Sequence, residues 1–189
     1  MKPEISKMIE RLMNRNPLQG LSPEKLWDEA MDEQIGAMFG QSEQDPNKLA
    51  VQSALHLWND SLNRSHDLSQ HITDSTGSYL HGLMHRMEGD YSNAKYWFRQ
   101  AGYHPAMPNI HREAVDMIAG ELNAGFGSNG RAEELLTDIA REERWNPYLM
   151  VDAVMSQESG GGSPEARQLL ERLQRLEMVQ IIRCIEANL

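Results

Sequence analysis

Apolar residues recur at three- and four-residue intervals along most of this chain. Ile5, Met8, Ile9 and Leu12 fall on one line of a helix; Leu26, Ala30, Met31, Ile35 and Met38 form a second; Val51, Ala54, Leu55 and Trp58 form a third. Further stripes follow at Ile110, Ala114, Met117 and Ile118, at Leu135, Leu136 and Ile139, and at Leu169, Leu170, Leu173 and Leu176. Each is the spacing of an amphipathic helix with one buried face. Ser22-Pro23, Asp45-Pro46, Asn146-Pro147 and Ser163-Pro164 put a capping side chain before a proline, which predicts four helix starts. Gly125–Gly130 and Gly160–Gly162 divide the C-terminal third into separate helices. No period-two run rich in β-branched residues is present, so no sheet is expected. The pattern predicts one compact all-α domain over residues 1–189, with about eight or nine helices of ordinary length. Its short connections make neighbouring helices antiparallel.

The stretch HGLMHRMEGDYSNAKYWFRQAG, residues 81–102, predicts a helical hairpin: helices over 76–88 and 91–101 joined at Gly89-Asp90. Gly82, the Gly89-Asp90-Tyr91 turn, then Ala94, Phe98, Ala101 and Pro105 follow in a register that resembles a single tetratricopeptide repeat, over about residues 76–106. The resemblance implies that His81 and His85 occupy interior seats that large apolar side chains ordinarily fill. The segment NGRAEELLTDIAREERWNP keeps only a weak echo of the same pattern, so no repeat array is implied. Trp58-Asn59-Asp60, Ser65-His66 with Ser69-Gln70, and Asn93-Ala94-Lys95-Tyr96-Trp97 resemble segments of uncharacterised bacterial proteins, and no activity comes with that likeness.

Composition narrows the classes of function. Hydrophobic residues make up 40% of the 189 and charged residues 24%, the balance of a soluble globular protein. No apolar run is long enough to cross a bilayer. The opening MKPEISKMIE lacks the basic-then-apolar order of a secretory signal, and a cytoplasmic location is expected. Cys184, the single cysteine, excludes an internal disulfide, fits a reducing compartment and reads as apolar filler. A net charge of −10 argues against nucleic acid as partner, and no membrane partner is expected either. From Leu169 to Ile185 apolar residues crowd more than one helix face, with Met178, Ile181 and Cys184 outside the main stripe. That excess predicts cover either from the domain's own helices or from a second copy, a homodimer through the C-terminal helix.

The charge is unevenly distributed. Residues 56–111 hold four Lys/Arg and five Asp/Glu, net −1, against −3 for residues 1–55 and −6 for 112–189. This nearly neutral window also contains all seven histidines: His56, His66, His71, His81, His85, His104 and His111. Titratable and aromatic side chains crowded into one stretch of an otherwise plain chain point to a pocket. His56, His66, His81, His85, Arg86, Lys95 and Trp97 are its predicted ligand-binding residues, centred on His81 and His85. The ligand is expected to be a small molecule or a metal ion.

His81, His85 and Glu88 lie at i, i+4 and i+7 on one line of a helix, a spacing that places three ligands on one divalent metal. The same pair of histidines is also what hydrogen-bonded core packing would produce. His56 and Asp60 are i, i+4, either an imidazole oriented by a carboxylate or an ordinary helix-surface pair. Ser65 or Asp67 is expected to cap a short helix around His66. Arg86, Lys95 and Arg99 are candidates for an anion site, with Lys95 and Arg99 on one helical face beside Trp97; a solvated basic face is the alternative for those two. No glycine-rich phosphate loop, G-x-S-x-G elbow, H-E-x-x-H or C-x-x-C motif is present. Three functions fit these residues: an enzyme with a small-ligand or metal site, a protein that stores or senses a metal without catalysis, and a TPR-like interaction module without catalysis. The first two need a closed pocket, whereas the third needs an exposed groove and no buried imidazoles.

Overall fold

Helical periodicity with proline-marked starts yields ten helices in the computed structural model, which describes residues 3–40, 45–123 and 130–188. In chain order they are α1 (Pro3–Met13), α2 (Glu29–Gly36), α3 (Pro46–Trp58), α4 (Leu62–Ser69), α5 (Ser75–Glu88), α6 (Tyr91–Ala101), α7 (Met107–Asn123), α8 (Arg131–Arg141), α9 (Pro147–Glu158) and α10 (Pro164–Glu186). No strand occurs among the described residues, and none of their helices is long and apolar enough to cross a membrane. Ten is slightly more than the eight or nine expected. Of the glycine breaks, Gly125 lies outside the described residues, while Gly160–Gly162 separates α9 from α10 as expected.

Three of the four proline-marked starts form as the local chemistry dictates. The side chains of Asp45, Asn146 and Ser163 accept hydrogen bonds from the first-turn amides of α3, α9 and α10. Ser22-Pro23 does not start a helix. Residues 21–28 are irregular, and α2 begins six residues later, where Asp28 accepts from the Met31 amide at 2.8 Å. The Trp27 amide donates to the Asn59 carbonyl at 3.1 Å, so a tertiary bond ties down the irregular segment and leaves Leu26 outside the helix. Capping of α4 by Ser65 or Asp67 is also overturned, since both lie inside that helix. The hydroxyl of Ser65 instead meets that of Ser53 on α3 at 3.0 Å.

α5 packs most closely against α6, followed by α3 against α4 and α8 against α9; α4 also lies against α5, and α6 against α9. Buried apolar side chains form a cluster running from Ile5 on α1 to Ile185 on α10, with Trp58, Tyr79, Phe98 and Trp145 among its largest members. α10 packs on α3, α7, α8 and α9. Met178, Val179, Ile181, Ile182 and Ile185 are therefore buried within the chain itself, while Cys184 is half-buried and its thiol is pushed up by that burial. Of the residues outside the main stripe of α10, Met178 and Ile181 are covered by the chain's own helices and Cys184 only in part.

Candidate functional site

Two close approaches assemble the site from α4, α5 and α6. Gly82 on α5 has no side chain, and the Phe98 ring of α6 stands 2.9 Å from where a Cβ would be. Any larger residue would push α6 away. The turn between the helices is closed by Gly89, which adopts the left-handed φ of 81° that favours glycine, and Asp90 then caps α6 by accepting from the Asn93 amide at 3.1 Å. On the other side, a Cβ on Gly77 would lie 2.2 Å from the Ile72 carbonyl oxygen, so the α4–α5 connection folds tightly against the first turn of α5. Asp74 caps that turn by accepting from the Thr76 and Gly77 amides at 2.8 and 2.9 Å.

Rotation of α4 is set by the Ser53–Ser65 contact. With Ser65 turned to α3, the next residue, His66, swings round to α5, about 100° per residue. There it meets the two histidines that α5 carries one turn apart. The His66 ring lies edge-on to His81 at 4.7 Å between centroids and to His85 at 5.7 Å. His81 and His85 stack at 4.9 Å. On the other side of His81, Trp97 of α6 lies parallel to the imidazole at 3.9 Å with 8° between planes. One ring nitrogen from each of the three histidines can be chosen so that all lie within 4.8 Å of one another.

Burial governs the electrostatics. His81 is 3% exposed, and burial, followed by repulsion from His85 and His66 in their charged forms, lowers its pKa to about 4. His85 is lowered as well, first by burial, against the opposing pull of Glu88 and Asp90. Both are therefore neutral at pH 7, the form in which an imidazole ligates a metal. The Nδ1 atoms of His81 and His85 are buried without a hydrogen-bond partner. An unpartnered buried polar atom costs on the order of 1–3 kcal/mol. Glu88 is not among the three clustered residues; its Oε2 stands 3.2 Å from Nδ1 of His85, at ion-pair distance.

The other predicted residues lie elsewhere. The carboxylate that holds His56 is Asp32 on α2, 2.7 Å from Nδ1 with both side chains buried, rather than Asp60. Asp32 also meets Arg64 at 3.1 Å. Burial lowers the pKa of His56, with the Asp32 bond opposing it. His56 borders a separate cavity of about 520 Å³ that also includes Phe39, Gln52, Arg64 and Asp67. Asp60 is held by Arg15 at 2.8 Å and Gln19 at 2.7 Å, in a left-handed conformation with φ 65°. Arg86 is fully buried and pairs with Glu177 of α10 at 2.6 Å, and Lys95 meets Asp152 of α9 at 2.5 Å. Arg86 and Lys95 thus belong to interhelical ion pairs and His56 to an interhelical hydrogen bond, while His66, His81, His85 and Trp97 come together.

Sequence reasoning missed Asp32, Asp152 and Glu177, each the partner of a residue it had singled out. They sit 24, 57 and 91 positions away from those residues, beyond any local spacing rule. Preference for His66 over Glu88 as the third member of the group also had no local signal, because it depends on how α4 rotates.

No curated protein and no solved structure matches the chain. One family model does match, over residues 29–145, a span that takes in α2 to α8 and all three clustered histidines. The chain therefore belongs to that family, described as an uncharacterised protein conserved in bacteria (DUF2225).

Proposed function

We propose that this protein binds one divalent first-row transition metal ion, of the Zn²⁺ type, through His66, His81 and His85. The observation that carries the reading is the approach of three ring nitrogens to within 4.8 Å on two helices. A tetrahedral ion with Zn–N bonds of about 2.0–2.1 Å would hold its ligand atoms about 3.4 Å apart, so no pair of nitrogens needs to close by more than roughly 1.4 Å. Two of the three imidazoles are held neutral by burial and need not give up a proton first. Nitrogen-only ligation suits Zn²⁺, Co²⁺, Ni²⁺ or Cu²⁺ and disfavours Mg²⁺ or Ca²⁺, which require oxygen. Three protein ligands leave a fourth position for water or a small molecule, the arrangement that metal-assisted chemistry uses. Trp97 supplies a flat apolar wall beside it.

A second reading, an interaction module built on a tetratricopeptide-repeat-like hairpin, draws support from the close approach at Gly82 and the Gly89-Asp90 turn. The buried imidazoles favour the metal reading, since a docking groove has no use for them.

Titration of the purified protein with Zn²⁺ and Co²⁺, followed by elemental analysis, tests the proposal. One equivalent is expected, with the double replacement His81→Leu, His85→Leu abolishing it. That variant should fold at least as well as the natural sequence, because apolar groups of similar size replace buried polar ones. Absence of binding at micromolar metal, or a stoichiometry unchanged in the variant, would refute it.

A further inference from the structure

Glu88 lies one turn beyond His85 on α5, and its Oε2 is 3.2 Å from the Nδ1 of that ring. The same Nδ1 is buried, and the Glu88 contact is within range but falls short of hydrogen-bond alignment. A ligand histidine must present one nitrogen to the metal and dispose of the proton on the other, and a carboxylate accepting that proton fixes both tautomer and ring orientation. We infer that Glu88 is a positioning residue for the metal site, holding Nδ1–H of His85 so that Nε2 faces the ion, and is not itself a ligand. This rests on the three-histidine reading above.

Several features converge on this role. His85 is the member of the group furthest from His66, at 5.7 Å against 4.7 Å for His81, and so has most to gain from being aimed. His81 is already clamped between Trp97 on one face and His85 on the other. Among the described residues, Glu88 is the carboxylate at ion-pair distance from the His85 ring, with the Asp90 charge further off. The Glu88 side chain is 36% exposed, so it can adjust by small torsions as the rings close, which a buried carboxylate could not. The helix also supplies a geometric reason: residues three apart lie on neighbouring positions of one face, so a carboxylate at 88 reaches the ring at 85 from the C-terminal side.

The test is a Co²⁺ titration of the full chain by visible absorption for the natural sequence, Glu88→Ala and Glu88→Gln, each complex then being titrated with thiocyanate. Circular dichroism confirms the fold, which an exposed surface position should leave intact. Positioning predicts that Glu88→Ala weakens binding about 10–100-fold, the usual effect of removing such a partner. Glu88→Gln should recover part of the loss, because its amide oxygen still accepts from Nδ1–H. All three complexes should keep the tetrahedral spectrum and still take up thiocyanate at the open position. Unchanged affinity in Glu88→Ala would overturn the inference. So would a natural complex that refuses thiocyanate while Glu88→Ala accepts it, the mark of Glu88 as fourth ligand. Failure of the natural sequence to bind Co²⁺ at all would instead remove the three-histidine reading, and this inference with it.

Discussion

Replacing Arg86 by Met should cost more stability than any change at the histidine cluster. Arg86 of α5 and Glu177 of α10 are both fully buried, with Nη2 2.6 Å from Oε2. The other oxygen of Glu177 accepts from the Tyr79 hydroxyl at 2.9 Å, and that hydroxyl accepts from the Trp145 indole at 3.0 Å. Burial, then the Glu177 charge, raises the Tyr79 pKa well above its usual value, so the phenol stays a donor. Met fills most of the volume of the arginine stem, so packing is largely kept. What is lost is the counter-charge, which leaves a buried carboxylate with a single neutral donor. Breaking a buried pair from one side costs about 3–5 kcal/mol, a large part of the stability of an ordinary domain. Urea unfolding followed by tryptophan fluorescence and circular dichroism measures it. Arg86→Met with Glu177→Gln removes both charges while keeping an acceptor for Tyr79, and should recover at least half of the loss. Arg86→Met within about 1 kcal/mol of the natural sequence, or a double variant whose loss is the sum of the two singles, would refute the reasoning. Metal binding should survive in whatever fraction remains folded, since Arg86 belongs to this ion pair and not to the imidazole group.

Three further outcomes are expected. His104 is fully buried; its Nδ1 accepts from the Ala106 amide and its Nε2 meets the Thr76 hydroxyl, each at 3.1 Å, and burial lowers its pKa to about 4. The unfolded chain takes up this proton near pH 6.5 and the folded one does not, so stability falls with pH between about 6.5 and 4; the advantage over His104→Gln should shrink by about 2 kcal/mol at pH 5, and a gap constant with pH would refute it. Gly77→Ala, whose Cβ would press on the Ile72 carbonyl oxygen at 2.2 Å, should cost about 1–3 kcal/mol in chemical denaturation, whereas Gly89→Asn, in open space at a left-handed φ of 81°, should cost clearly less; the reverse order would contradict the packing argument. Because Trp97 stacks on His81 at 3.9 Å, Cu²⁺ should quench emission in the natural protein and much less in Trp97→Phe, and equal quenching would place the metal away from this stack.

The local features of the fold were written in the chain. The hairpin expected over 76–88 and 91–101 spans Ser75–Glu88 and Tyr91–Ala101, because a glycine with a left-handed cap and a following aspartate act within a few residues of themselves. The caps at Asp45, Asn146 and Ser163 were legible for the same reason. Ser22-Pro23 carries an equally good local signal, and it failed because the Trp27–Asn59 bond, made across 32 positions, competes with helix formation there. Among the candidate site residues, spacing alone put His81 and His85 side by side on α5.

What spacing could not supply was the third member of the group or the identity of each charged partner. His66 joins His81 and His85 only because the Ser53–Ser65 contact turns α4, and because Gly77 and Gly82 let the flanking elements come close. Arg86 and Lys95 sit among the histidines in sequence, yet they pair with Glu177 and Asp152 on distant helices. Helix formation is decided by residues three and four apart, which a sequence displays directly. Which two helix faces meet is decided by the summed burial of all ten helices, and a polar side chain takes whichever partner that packing brings within about 3 Å.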